Sequence, residues 1–257
     1  MKAKLFFLFS FLLLLCALWG CGKEAKEENT LTLVTSANFP PYEFLDRQKI
    51  VGIDVDIIRY AAKKLGKELV IIDTKFDSVI GHIVTGKADV AASGITVTEE
   101  RKKRVSFTIP YSRAAQMILV PRNSPIKGSE DLKKNKRIGC QSGTTAYDYL
   151  RQHIITDKNS PLLQQFETPA VAVKALKIGK LDAVVLDEQP AVVLSKINAG
   201  DVLMLPQPLT SEEYAIALNK NDSELREFLN AVEPIPTTSY VVPSYVIFEG
   251  ITIIESV

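Results

Sequence analysis

Apolar residues along this chain fall into two rhythms, and the alternation between them predicts the architecture. Short runs rich in aliphatic and β-branched residues read as strands. They are Leu31 to Thr35, Leu69 to Ile72, Val90 to Ala92, Met117 to Val120 ahead of Pro121, Arg137 to Cys140 and Leu181 to Leu186. Helical spacing separates them. Ile57, Ile58, Ala61 and Leu65 share one helical face, with Asp54 placed to cap the start and Gly66 just past the end. Ser78 to Thr85 predicts a short helix closed by Gly86, and Thr144-Thr145 opens another through Tyr147 and Leu150. Strands alternating with helices imply an α/β fold.

Two stretches echo each other. Gly86-Lys87-Ala88-Asp89 and Gly179-Lys180-Leu181-Asp182 each follow a helix end and lead into a strand. The glycine suits the left-handed turn that reverses a chain there. One such unit in each half predicts two similar lobes, residues 31–119 and 120–209, with residues 210–257 returning to the first. The return crossing falls near Thr210 to Tyr214. Two crossings make a hinge, and open α/β sheets take ligands at the carboxyl ends of their strands.

The chain's start is of another kind. Lys2 and Lys4 precede an apolar run, Leu5 to Leu18, interrupted by Ser10 and Cys16. The run is too short to span a bilayer and reads as a secretory signal over residues 1–20. Leu18-Trp19-Gly20-Cys21 looks like a bacterial lipobox, although Trp19 is bulkier than the small residue usual there. Cys21 is then the lipidated first residue of the mature chain, and residues 21–30 are a flexible tether. An ordinary cleaved signal beside a chance cysteine is the alternative.

Charge and cysteine usage exclude several classes. Without residues 1–20 the chain holds 29 basic and 30 acidic residues, a net charge of −1. A nucleic-acid binder needs a basic stripe, so no nucleic-acid partner is expected. Of three cysteines, Cys140 alone is left for the folded part, which forbids an intrachain disulfide. Its place in a strand-like run makes it a small core residue. Two histidines and no Cys/His cluster predict no metal site, and no cofactor is expected.

Three runs carry the candidate chemistry: Ser93 to Arg101, Gln141 to Ala146, and Gly179 to Asp187. Each follows an apparent strand. Arg101 supplies a planar cation that grips a carboxylate with two parallel bonds. Asp187 supplies a lone carboxylate for an ammonium. Ser93, Thr96, Thr144 and Thr145 supply hydroxyls, and Gly94 and Gly143 let backbone approach closely. The helix start at Thr144-Thr145 favours an anion. Together these groups can hold the zwitterionic head of a free α-amino acid. Each also has a plainer reading alone. Arg101 lies among Glu99, Glu100, Lys102, Lys103 and Arg104, as on a solvated helix face. Asp54 is either a helix cap or the partner of a cationic ligand end. Ser142-Gly143-Thr144-Thr145 is a common cap, and Glu43 and Asp46 read as surface acids before they read as ligand contacts.

With Phe39-Pro40-Pro41-Tyr42-Glu43-Phe44 and Gly52-Ile53-Asp54-Val55-Asp56 added, the runs resemble the amino-acid-binding periplasmic solute-binding proteins of ABC importers, extracellular solute-binding protein family 3. The resemblance covers residues 31 to 232. It implies a two-lobe periplasmic binding protein fold of type II, ligand capture without catalysis, and a monomer. The implied partners are a free polar or basic amino acid, such as arginine, and membrane permease subunits. The implied location is the bacterial periplasm or cell surface, tethered through Cys21. Phe39 and Phe76 match positions where the family sets aromatic rings against the ligand side chain, and Gln141 falls where some members have an apolar ligand contact, so it can hydrogen-bond a polar side chain. Ser36-Ala37-Asn38 lacks the acid that binders of basic amino acids often carry there.

Leu225 to Val232 is similar to the family's penultimate helix, but Glu233-Pro234-Ile235-Pro236 forbids the amphipathic helix that normally follows. The terminus from about residue 233 reads as divergent or frameshifted, and β-prone. Two other functions use the same fold: a ligand-sensing or adhesive surface lipoprotein, and a periplasmic dehydratase. The dehydratase needs a general acid and base, and no paired carboxylates or histidine are evident near the motifs.

Overall fold

A computed structural model describes residues 29–232 and, from the tail, residues 247–248 and 251–252. The expected signal segment 1–20, the expected lipidation site Cys21, nearly all of the expected tether and the Pro234–Pro236 run lie outside the described residues. The two described pieces of the tail pair as a short antiparallel ladder.

Two five-stranded sheets organise the chain from Leu31 onward. The first contains β1 (Thr30–Thr35), β5 (Glu68–Asp73), β6 (Val90–Ala91), β7 (Ser106–Phe107) and β15 (Ala217–Leu218), in the order β5-β1-β6-β15-β7. The second contains β9 (Gln116–Pro121), β10 (Ile138–Gln141), β11 (Leu163–Phe166), β12 (Ala183–Asp187) and β13 (Val202–Met204), in the order β11-β10-β12-β9-β13. The plan is the same in both. A strand from one of the crossings, β15 or β9, inserts antiparallel beside the last parallel strand, β6 or β12. A small meander of β2 (Asn38–Phe39), β3 (Glu43–Asp46) and β4 (Lys49–Val51) follows β1.

Helices cover both faces of each sheet, so the strands carry apolar residues on both sides. Leu31 and Leu33 pack with Val55, Ile58 and Ala61 of α1 (Ile53–Leu65) and Leu229 of α8 (Ser223–Ala231). Val34 points the other way, to Val79 and Ile83 of α2 (Phe76–Val84). In the second lobe, Met117 and Leu119 join Val173 of α6 (Pro169–Lys177) and Leu194 of α7 (Glu188–Ile197). Ile118 and Val120 join Leu132 of α4 (Ser129–Leu132) and Leu150 of α5 (Thr145–His153). A single turn, α3 (Glu99–Lys102), carries Arg101.

The Gly-Lys-x-Asp echo is the same joint built twice. Gly86 and Gly179 both turn at φ +72. Asp89 accepts the Thr32 N–H at 2.8 Å and returns its own N–H to the Thr32 carbonyl. Asp182 does the same with the backbone of Arg137, also at 2.8 Å. Each aspartate thus locks the strand it precedes to that strand's parallel neighbour, β6 to β1 and β12 to β10.

Two expectations change. β9 was expected to close the first lobe, yet it pairs with β12 and β13 in the second sheet. The first crossing is therefore β8 (Ser112–Ala114), ahead of the expected boundary at residue 119. It pairs antiparallel with β14 (Glu212–Tyr214), the return crossing, in a two-stranded ribbon. An all-apolar run shows that a strand is buried, not which sheet owns it. Asp54 does not cap α1 either. Gly52 holds the N-cap position at φ 131, and Asp54 lies inside the first turn with its carboxyl turned to other partners. A Cβ on Gly52 would stand 2.2 Å from the Tyr42 carbonyl oxygen, so only glycine fits.

Candidate functional site

The segments at the ends of β1, β5, β6, β10 and β12 converge on one small cleft between the lobes. Phe39, Phe76, Gly94, Thr96 and Arg101 line it from the first lobe, and Gln141, Thr144, Thr145 and Asp187 from the second. All nine were expected ligand residues. The cleft encloses about 10 Å³ of free volume, room for roughly one water molecule. The lobes are thus closed on one another, and the cleft must widen to admit an amino acid.

Arg101 is positioned from both sides. Thr98 caps α3 by accepting the Arg101 N–H at 3.1 Å. The guanidinium donates to the Thr96 carbonyl at 2.8 Å and, across the cleft, to the Gly143 carbonyl at 3.1 Å. It also lies over the Phe76 ring at 5.5 Å. A guanidinium has five N–H donors, so these two carbonyls leave a fork for a carboxylate. Burial draws its pKa down, opposed chiefly by the Asp187 carboxylate, and the group remains a cation.

Asp187 ends β12, nearly buried, and accepts the Tyr214 O–H. Burial pushes its pKa up to about 6, and the Tyr214 hydrogen bond opposes that rise. Thr96 and Thr145 both donate their hydroxyls to Glu212, at 2.7 and 2.9 Å. Thr144 caps α5 by position, but its own hydroxyl donates back to the Gln141 carbonyl. Gln141 donates to the Glu167 carbonyl at 3.0 Å and reaches Asn38 of the other lobe at 3.5 Å.

The two glycines work differently from each other. A Cβ on Gly94 (φ +52) would press on Phe39 Cε1 at 2.7 Å. That contact seats the Phe39 ring against the cleft, with Tyr42 and Tyr214 behind it at 6.0 and 6.5 Å between centroids. A Cβ on Gly143 (φ +75) would stand 2.9 Å from the Cα of Asp77 at the start of α2. Gly143 therefore permits the close approach of the lobes.

Two expected contacts and one expected surface position are corrected. Asp54 and Ser93 are fully buried beneath the cleft rather than lining it. Asp54 accepts the Gly94 N–H at 2.8 Å and the Tyr111 O–H at 2.7 Å. Ser93 accepts the Ser36 N–H at 3.1 Å and donates to Glu43 at 2.8 Å. Glu43, read as a surface acid, has no exposure at all. A carboxyl pair does exist: Glu43 and Asp54 are both fully buried and close enough for each to shift the other's titration, while Glu43 Oε2 has no hydrogen-bond partner. Burial first, then the neighbouring Asp54 charge, raises the Glu43 pKa well above the usual range, which favours its protonated form. Burial raises Asp54 to about 6. The pair supports the Ser93-Gly94 turn from below and is sealed from the cleft.

Sequence reasoning missed Glu212, Tyr214 and Gln116. A signal for the first two was present: both lie in the expected return crossing, two residues apart, and so face one side of a strand. The ion pair Lys75–Glu167, at 3.3 Å, links the lobes at the surface.

The family model for bacterial extracellular solute-binding proteins, family 3, matches residues 31–233. A probable histidine-binding protein of Neisseria gonorrhoeae is 32% identical over 226 residues, with 83% of each chain covered. The arginine-bound form of truncated ArgBP from T. maritima superposes with a TM-score of 0.73 at 39% identity, covering 81% of this chain and 97% of that one. The arginine-, lysine-, histidine-binding protein ArtJ from Geobacillus stearothermophilus gives 0.72 at 33%, covering 78% and 86%. The two-lobe fold expected from the resemblance is the fold found. With its motif residues gathered on one inter-lobe cleft, the chain belongs to the bacterial extracellular solute-binding proteins, family 3.

Proposed function

We propose that this protein captures a polar or basic free amino acid between its lobes and delivers it to the permease of an ABC importer. One observation carries the reading: Arg101 from the first lobe and Asp187 from the second line the same closed cleft. They complement the carboxylate and ammonium of one zwitterion. The N-terminus of α5 beside Arg101 adds to the carboxylate end. Relatives named for histidine, arginine and lysine favour a basic ligand, and the Phe39 and Phe76 rings suit a flat or cationic side chain. Asp54 is removed from that role, because its carboxyl already serves Gly94 and Tyr111. The reading is of a binding protein and not an enzyme, since the Glu43–Asp54 pair lies under the cleft floor. Cys21 lipidation gives the membrane tether; mass spectrometry of the native N-terminus should find the acyl mass, and cleavage elsewhere overturns it. No helix among the described residues is long and apolar enough to cross a membrane.

The deciding experiment is calorimetric titration of the mature domain with arginine, lysine, histidine, glutamine, glutamate and leucine. Arginine, lysine, histidine or glutamine should bind best. Arg101→Ala should abolish binding, and Arg101→Lys should lose much of it with the fork. Unchanged affinity in Arg101→Ala, or preference for leucine or glutamate, overturns the reading.

A further inference from the structure

We propose that Glu212 is a positioning residue that sets the polarity of the head-group corner, making it select an ammonium. The proposal rests on the amino-acid-binding reading of the cleft. Glu212 sits in β14, the return crossing between the lobes. Its Oε2 accepts the Thr96 O–H at 2.7 Å and the Thr145 O–H at 2.9 Å, and its Oε1 accepts the Thr210 O–H at 2.9 Å. A hydroxyl has one proton and two lone pairs, and a carboxylate only accepts. With both protons committed to Glu212, Thr96 and Thr145 present lone pairs alone to a ligand.

The rest of the corner has the same sense. Thr145 already takes a hydrogen bond from Gln116 Nε2 at 3.1 Å, which uses one of its lone pairs. Gln116 Oε1 is buried with no hydrogen-bond partner, and the Asp187 carboxyl lies beside the same amide. The side chains at this corner are therefore mainly acceptors, while Arg101 and the backbone N–H groups at the start of α5 supply the donors for the carboxylate. A ligand carboxylate turned toward Glu212 would meet lone pairs. An ammonium brings three N–H donors and satisfies them. Glu212 thus fixes which way round the zwitterion lies. Because Thr96 follows β6 and Thr145 begins α5, it also ties both lobes to the crossing between them.

The test pairs a variant with a ligand deletion. Wild type, Glu212→Gln and Thr96→Val are titrated with L-arginine, L-histidine and L-glutamine and with the desamino counterpart of each. An amide at position 212 donates as well as accepts, so the threonine protons are no longer fixed. Glu212→Gln is expected to weaken the amino acid by about tenfold or more and its desamino counterpart by less than about threefold. Thr96→Val removes an acceptor and narrows the same ratio, and it carries the test if Glu212→Gln does not fold. Equal losses for both ligands, or none for either, overturn the proposal and leave Glu212 as a tie between lobes. If wild type binds none of the three amino acids, the binding reading itself fails.

Discussion

Asp187 and its ligand set opposite demands on one proton. Gripping an ammonium needs the carboxylate, and burial holds the pKa of Asp187 at about 6. Affinity should therefore fall as pH drops through that value, approaching about one decade per pH unit below it. Stability of the ligand-free protein runs the other way. An unfolded aspartate titrates near about 3.9, so between the two values the folded chain holds more protons than the unfolded one. The associated stability is complete below the unfolded value and is lost as pH rises through the folded value. Asp54, also raised to about 6, and Glu43, raised further, act in the same sense. On acidification from about pH 7 to about pH 5, the ligand-free melting temperature should rise while affinity falls. Asp187→Asn should weaken binding at neutral pH and flatten its pH dependence. An unaltered pH slope in that variant would refute the assignment. Glu43 gives a second residue-level prediction. Glu43→Gln keeps the volume and an acceptor for Ser93 and sets a neutral group beside Asp54, so its denaturation midpoint should stay near that of wild type. Glu43→Ala leaves the Asp54 charge and the Ser93 hydroxyl without their partner and should cost about 2–5 kcal/mol. Equal losses in the two would show that an amide cannot stand in for the buried carboxyl and would overturn this account of Glu43.

Between β10 and α5, Gly143 decides how near the lobes can come. Alanine there meets the Asp77 backbone of the opposite lobe at 2.9 Å and also adopts a left-handed φ of +75. The obstruction should weaken ligand affinity by about tenfold or more, because closure is part of binding. Gly179 separates the two effects: it turns at φ +72 with nothing near its missing Cβ. Gly179→Ala carries the backbone strain, about 1–2 kcal/mol, and should leave affinity unchanged. Calorimetry on both variants decides, and equal affinities would remove the closure role of Gly143. The same elements mark where sequence was readable. The Gly-Lys-x-Asp joints were visible because a left-handed turn, a cap and a strand start are local. So were the strand ends that bring Arg101, Thr145 and Asp187 to one edge. What failed were judgements that depend on distant partners. Asp54 looked like a cap because aspartate caps helices often, and nothing nearby revealed the Gly94 N–H and Tyr111 O–H that claim it. Glu43 looked exposed because a buried carboxyl needs a partner, and its partners Ser93 and Asp54 come from other elements. Glu212 meets Thr96 and Thr145 from 116 and 67 residues away.

At the scale of the whole molecule, closure rests on few bonds between the lobes. Lys75–Glu167 is exposed on both sides, 63% and 59%, and such pairs contribute about 0–1 kcal/mol. The Gln141–Asn38 contact is long at 3.5 Å. Among the described residues the other ties include Arg101 to the Gly143 carbonyl, the Glu212 bridge and Tyr214 to Asp187, all at the head-group end. A ligand that engages Arg101 and Asp187 adds charge-assisted bonds to both lobes at once, so it favours the closed state by its differential contacts. Its binding energy then appears as resistance to unfolding. At about 100 times Kd a ligand stabilises its protein by about 2.7 kcal/mol, and for a domain of this size that raises the melting temperature by about 5–11 °C. Lys75→Ala should show nearly the full rise, with affinity changed less than about threefold, because the surface pair contributes little. Arg101→Ala should show none at the same ligand concentration. Thermal melts of the three proteins with the best-binding amino acid give the comparison. A full rise in Arg101→Ala would mean that the ligand is held somewhere other than this cleft. A lost rise in Lys75→Ala would mean that the surface pair, and not the head-group corner, holds the lobes together.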